Sequence, residues 1–169
     1  MTESGKENNM STIVNLDKKV QEFISSNRTD NMNNMMIGLT SIGSVSVNLV
    51  FLIFLYLLGD FTQFLSVALG LGATASIIQT IKYLSSRERP ENQVVTASFS
   101  SSFPSGHSAS AFSFATLLSA FYPALISISF TTASLVAFSR IYLGEHFLSD
   151  ALAGSLIGIT VGLLIHTAI

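Results

Sequence analysis

The 169-residue chain has no cysteine, and only 11% of its residues are charged. The first absence excludes disulfides, thiolate metal sites and thiol nucleophiles. With only three histidines and no cysteine, a dedicated zinc site is not expected either. The second absence bears on the solvent. Soluble domains carry about 25% charged residues. Less than half that share, with 49% hydrophobic residues and a mean hydropathy of +0.55, points to an integral membrane protein. A net charge of -2 gives no reason to expect nucleic acid. Residues 1–12 are polar and lack the apolar stretch of a signal peptide.

What is present is a series of long uncharged runs. Residues 37–58 and 61–81 hold 22 and 21 residues without a charge, each enough to cross a hydrocarbon core of about 30 Å. Gly59-Asp60 reads as the turn between them. Residues 108–141 are apolar except at Tyr122-Pro123. Proline suits the first turn of a helix, so this run is a hairpin of two helices. Each has about 15 residues, roughly 23 Å, which sets the polar ends of the hairpin near or slightly inside the membrane surface. Residues 147–169 form the last span, with Gly154, Gly158 and Gly162 on one close-packing face. Residues 1–10 read as a disordered tail. In residues 11–26, Ile13, Leu16, Val20, Phe23 and Ile24 recur at helical intervals among Asp17, Lys18, Lys19 and Glu22. This segment is too polar to span; it lies on the membrane surface or folds over the bundle. The Asn-rich residues 27–34 break the pattern. The expected fold is all-α: a polytopic bundle of about five spans with an N-terminal amphipathic helix, residues 11–169 forming a single domain.

The span count has a chemical consequence. The polar loop at 82–107 follows the second span, and the hairpin returns the chain to the same face at 139–147. Three stretches rich in chemistry therefore converge: Lys82 with Arg89-Pro90, then Pro104-Ser105-Gly106-His107, then Ser139-Arg140 with His146 and Asp150. Were 108–141 one helix, they would lie on opposite faces. Lys82, Arg89 and Arg140 suit an anion with several oxygens, phosphate above all. Ser105 and the free N–H groups around Gly106 and His107 open a helix and would cradle phosphate oxygens. His146 and Asp150 share a helical face, so the carboxylate can fix the imidazole tautomer. His146 would then attack phosphorus and His107 would exchange the proton. Taken alone, the 139–150 cluster is equally compatible with a structural polar contact between helices. Arg87 and Glu88 read as solvated or lipid-facing, and Glu145 as a surface residue.

This pattern resembles the type 2 phosphatidic acid phosphatase family, whose signature is K-x6-RP, PSGH and SR-x5-H-x3-D. All eleven fixed residues occur here in order and at that spacing, within a resemblance covering residues 37–168. It implies His146 as nucleophile, Asp150 as its partner, and His107 as general acid and base. It implies Lys82, Arg89, Ser105, Gly106 and Arg140 as phosphate binders, Pro90 and Pro104 as shapers of loops, and Ser139 as a support. It implies no metal and no cofactor. Typical membrane members have six spans; here the 11–26 segment stands where the first would be. The implied activity is hydrolysis of a membrane lipid phosphate or diphosphate, with polyprenyl diphosphate first and phosphatidylglycerophosphate or phosphatidic acid as alternatives. From other classes, a lipid phosphotransferase or a non-enzymatic membrane binding protein would share the fold. The resemblance also implies a multi-pass protein of the cytoplasmic membrane with an extracytoplasmic site. The clustering of Lys and Arg on the site face points the other way.

Overall fold

A computed structural model describes residues 3–58, 60–95 and 100–169, with side chains described from Ser11 onward except that of Leu58. Gly59 of the expected Gly59-Asp60 turn, and residues 96–99 of the polar loop, lie outside the described residues. The described residues form α1 (Glu3–Ser26), α2 (Asp30–Ile42), α3 (Val45–Leu58), α4 (Phe61–Leu84), α5 (Gly106–Phe121), a 3-10 turn (Pro123–Leu125), α6 (Ile126–Tyr142) and α7 (Leu148–Ala168). No strand occurs among them.

The hairpin forms where expected. Tyr122 and Pro123 end α5, and the chain reverses through the 3-10 turn into α6. At the opposite end of α4, Asp60 caps the helix by accepting from the N–H groups of Thr62 and Gln63 at 3.0 and 3.3 Å. α5 is the central helix: it packs most extensively on α7, and also on α4 and α6. This enclosure explains its sequence. Ser108, Ser113, Thr116 and Ser119 are buried on α5, where small side chains permit close helix contact.

The glycine stripe of α7 is the other half of that contact. A Cβ at Gly154 would lie 2.3 Å from the Ser105 carbonyl oxygen, and one at Gly158 would lie 2.2 Å from that of Ala109. Both neighbours are backbone, so a larger residue must push the two helices apart.

Among the described residues, three helices are long and apolar enough to cross a membrane: Phe61–Leu84, Pro123–Tyr142 and Leu148–Ala168. The bent pair α2–α3 adds a fourth crossing if taken as one span. With α5, whose 16 residues make about 24 Å, these are the members of the expected bundle.

Three expectations for the N-terminal third need correction. Residues 37–58 are not one straight helix; the chain bends by 44° between α2 and α3. The bend falls at Gly43-Ser44, a pair that often hosts kinks. A Cβ at Gly43 would lie 2.6 Å from Val136 Cγ1 and 3.3 Å from the His107 carbonyl oxygen. The Asn-rich segment is helical from Asp30, capped by Thr29 Oγ1 accepting from Met32 N at 3.4 Å. Helix α1 begins at Glu3 rather than Ser11, so residues 3–10 are not a disordered tail; their Glu and Lys residues are good helix formers.

α1 folds over the site end of the bundle, against α6 and α7. It turns Asp17, Gln21 and Ile24 inward, Ile24 packing against Met36, Tyr142 and Leu143. Asp17 and Gln21 are buried, while Ile13, Leu16 and Phe23 stay exposed.

Gly158→Ala is expected to destabilise the protein by about 1–3 kcal/mol, the usual cost of overpacking. Gly72→Ala, where nothing lies within 4 Å of the added methyl, is expected to be neutral or stabilising. Unfolding of both variants in mixed micelles checks the pair; equal stability would contradict the close α5–α7 contact.

Candidate active site

The site forms where four helix termini meet: the end of α4, the start of α5, the end of α6 and the start of α7. The local structure of each terminus delivers a functional side chain. α6 ends in a Schellman motif: Gly144 N donates to the Ile141 carbonyl at 3.1 Å and Glu145 N to the Arg140 carbonyl at 3.0 Å. Gly144 takes the left-handed φ of +73°, and a Cβ there would lie 2.5 Å from the Asn92 carbonyl oxygen. Only glycine fits. The turn swings Glu145 and His146 back over the end of their own helix.

Glu145 is buried, not on the surface. Its carboxylate accepts from Arg89 Nη1 at 2.6 Å and lies 3.2 Å from Arg140 Nη2. Two largely buried guanidinium groups need a counter-charge, and Glu145 supplies it. Arg89 also donates to the Glu145 carbonyl at 3.0 Å and the Ser100 carbonyl at 3.1 Å. Arg140 donates to Thr40 Oγ1 at 2.9 Å. Lys82, in the last turn of α4, reaches the Ser101 carbonyl at 2.5 Å.

Ser105 caps α5; its hydroxyl accepts from Ser108 N at 3.4 Å and Ser108 Oγ at 2.9 Å. Gly106 and His107 follow as the first residues of the helix. Ser105 N donates to the Asp150 carbonyl at 3.0 Å, which ties the start of α5 to the start of α7. Ser139 turns its hydroxyl back to the Val136 carbonyl at 2.6 Å. All eight expected site residues thus gather at one end of the bundle.

The link between His146 and Asp150 differs from the direct contact expected. His146 Nδ1 lies 3.9 Å from the nearer Asp150 oxygen but 2.6 Å from the Ser102 carbonyl. A carbonyl only accepts, so Nδ1 carries the proton and Nε2 is left with a lone pair. Asp150 acts one bond further out. Its Oδ2 accepts from Ser102 Oγ at 2.5 Å and from Phe147 N at 2.8 Å. The four-residue spacing puts the groups on a common side, but His146 precedes the first turn of α7 and its ring points to the 100–105 segment.

Arg87 is not solvated or lipid-facing. It donates to Asp150 Oδ1 at 2.6 Å, Ser149 Oγ at 2.7 Å and Asp17 Oδ2 at 2.6 Å. Glu88 is exposed, as expected. Among the described residues, no group of three or more His, Cys, Asp or Glu side chains could hold a metal ion.

Comparison with known proteins bears directly on this arrangement. The sequence profile of the PAP2 superfamily matches residues 63–169, which span all three motif stretches. The chain belongs to the PAP2 superfamily. It is 36% identical over 99 residues to a lipid A 1-phosphatase of Porphyromonas gingivalis, an alignment covering 56% of this chain and 21% of that relative. The chain thus spans about a fifth of that protein's length. Among solved structures, it is similar to a transmembrane PAP2-type phosphatidylglycerolphosphate phosphatase from Bacillus subtilis. The TM-score is 0.83 at 26% identity, covering 93% of this chain and 86% of that one. LpxE of Aquifex aeolicus gives a TM-score of 0.83 at 28% identity, covering 90% and 95%.

Within this PAP2 architecture, sequence reasoning missed Ser102, Glu145, Arg87 and Gly144. Ser102 sits in a serine run with no signal of its own, because its carbonyl does half its work. For Glu145, the signal was its place beside His146 and five residues after Arg140 in an otherwise apolar stretch. Gly144 could have been read as the C-terminal stop of α6.

Burial is the main cause that holds the His146 imidazole well below its usual range, aided by the Arg140, Arg89 and Lys82 charges. Its folded value lies below the ordinary 6.5, so folding favours the neutral ring. That contribution to stability is present above pH 6.5 and is lost as the pH falls toward the folded value. Nitrogen NMR of histidine-labelled protein in micelles is expected to show His146 as the neutral Nδ1–H tautomer at pH 6.5 and still at pH 6. A protonated ring at pH 6.5 would contradict the buried geometry.

Proposed function

We propose that the protein is a membrane lipid phosphatase acting through a phosphohistidine on His146. The observation that carries this reading is the Ser102 carbonyl on His146 Nδ1, which leaves Nε2 as a nucleophile beside Lys82, Arg89 and Arg140. Three cations against the Glu145 carboxylate leave two positive charges, matched to a dianionic phosphate.

In the first step, Nε2 attacks phosphorus, the bond from phosphorus to the leaving oxygen breaks, and His107 gives that oxygen a proton. The lipid departs one phosphoryl group shorter. In the second step, water attacks the phosphohistidine, His107 takes its proton, and the phosphorus–nitrogen bond breaks to release inorganic phosphate. The cations and the N–H groups at the start of α5 stabilise the charge on the equatorial oxygens. No step uses a metal.

A site at the end of a membrane bundle suits a substrate whose tail stays in the bilayer. Likeness to the Bacillus subtilis phosphatidylglycerolphosphate phosphatase over 93% of the chain supports phosphatidylglycerophosphate ahead of the polyprenyl diphosphate first expected. We assign the site to the extracytoplasmic face of the cytoplasmic membrane, on the grounds of family resemblance.

Phosphate release from micelles of phosphatidylglycerophosphate, polyprenyl diphosphate, phosphatidic acid and a soluble phosphomonoester tests the substrate class. Phosphatidylglycerophosphate is expected to be fastest and the soluble ester slowest. His146→Ala is expected to remove turnover without loss of folded protein, and EDTA to leave the rate unchanged. A strict divalent-cation requirement would sink the mechanism. The cysteine-free chain makes orientation testable with one substitution. Exposed Ser86, replaced by cysteine, is expected to react with a membrane-impermeant maleimide in intact cells; labelling only after lysis would place the site inside.

A further inference from the structure

Arg87 occupies a variable position of the first motif, yet it is among the most heavily tied side chains of the site. One guanidinium nitrogen serves Asp150 and Ser149, and the other serves Asp17 of α1. The guanidinium carbon lies 4.7 Å from the centre of the Phe147 ring. Asp17 completes the link. Its Oδ1 accepts from Ser149 N at 3.0 Å and its Oδ2 from Ser149 Oγ at 2.5 Å, so a carboxylate from α1 caps the first turn of α7.

The chain of contacts runs on to the imidazole. Asp17 holds Arg87, Arg87 holds Asp150 Oδ1, Asp150 Oδ2 holds the Ser102 hydroxyl, and the Ser102 carbonyl holds His146 Nδ1. α1 is set off from the 87–92 segment by a cleft of about 620 Å³ lined by Val14, Asp17, Arg87 and Phe147 among others. At the cleft the contact is polar, through Asp17, Arg87 and Ser149, while Ile24 packs against Met36, Tyr142 and Leu143. A second tie holds the C-terminal end of α1, where Arg28 donates to the Asn92 carbonyl at 2.5 Å. The outward face of α1 carries Ile13, Leu16 and Phe23, which suits contact with the lipid interface.

We propose that Arg87 and Asp17 are a positioning pair: docking of α1 fixes the Asp150 carboxylate and, through Ser102, the ring of His146. The proposal rests on the reading of His146 as nucleophile. Neither residue touches the reacting atoms. Their effect falls on turnover rather than on binding, because the phosphate-binding cations Lys82, Arg89 and Arg140 have other partners.

The test uses full-length protein in micelles and the panel substrate that the wild-type protein hydrolyses fastest. Arg87→Met is expected to lower kcat by about 10- to 100-fold, the range for loss of hydrogen bonds to a charged group, with KM changed by less than about 2-fold. Asp17→Asn is expected to lower kcat by a smaller factor. The double variant is expected to be no slower than Arg87→Met alone, since both act through one link. Wild-type kcat in Arg87→Met, a change confined to KM, or multiplying losses in the double variant would overturn the pairing. If Arg87→Met does not fold, Asp17→Asn carries the test: its His146 Nδ1–H resonance is expected to move, and an unmoved resonance with wild-type kcat overturns the proposal. An active His146→Ala protein would instead overturn the reading beneath it.

Discussion

Arg89 and Arg140 bring two guanidinium groups into the end of an apolar bundle, and Glu145 lies between them. Buried charge without a partner costs several kcal/mol per ion, so this contact constrains everything around it. α6 has to stop at Tyr142 and reverse through Gly144, or Glu145 could not return to the end of its own helix. The stretch that follows α4 has to carry Arg89 back over that end, or the guanidinium could not reach Glu145. The same reversal carries His146 into the site. Pairing of the charges and placement of the imidazole are thus one structural event.

Backbone contact sets the frame in which this happens. α5 and α7 approach until glycine is the only residue that fits between them at positions 154 and 158. The bond from Ser105 N to the Asp150 carbonyl then registers the two helix starts against each other. That bond sets the spacing between the serine cap, the first N–H groups of α5 and the carboxylate of α7. An apolar interface alone would give less precision, since lipid tails compete equally well for apolar side chains.

The orientation of α1 follows from the same electrostatic logic. An amphipathic helix on a soluble protein turns its apolar face inward. Here the neighbour is the charged end of a membrane bundle, so Asp17 turns inward to meet Arg87 and the first turn of α7 and becomes a buried acid. α1 is therefore tied by hydrogen bonds to the start of α7.

Composition and periodicity determined that this chain is an all-α membrane bundle, and the hairpin at Pro123 determined that its three motif stretches share one end. These depend on local hydrophobicity and on chain parity, which the order of residues encodes directly. The eleven motif residues likewise determined which side chains would meet. The tertiary structure alone decided how they meet. Ser102 enters through its carbonyl, an atom every residue has, so no residue type announces it. Arg87 and Asp17 are 70 positions apart and pair only because α1 folds across the bundle end. Glu145 looks like an exposed acid until the distant Arg89 closes on it beside Arg140 of its own helix end. Gly43 at the bend leaves no room for a Cβ because Val136 and His107 approach from other helices. Each of these features is set by groups far away in the chain, and their distance from one another is what only the folded molecule defines.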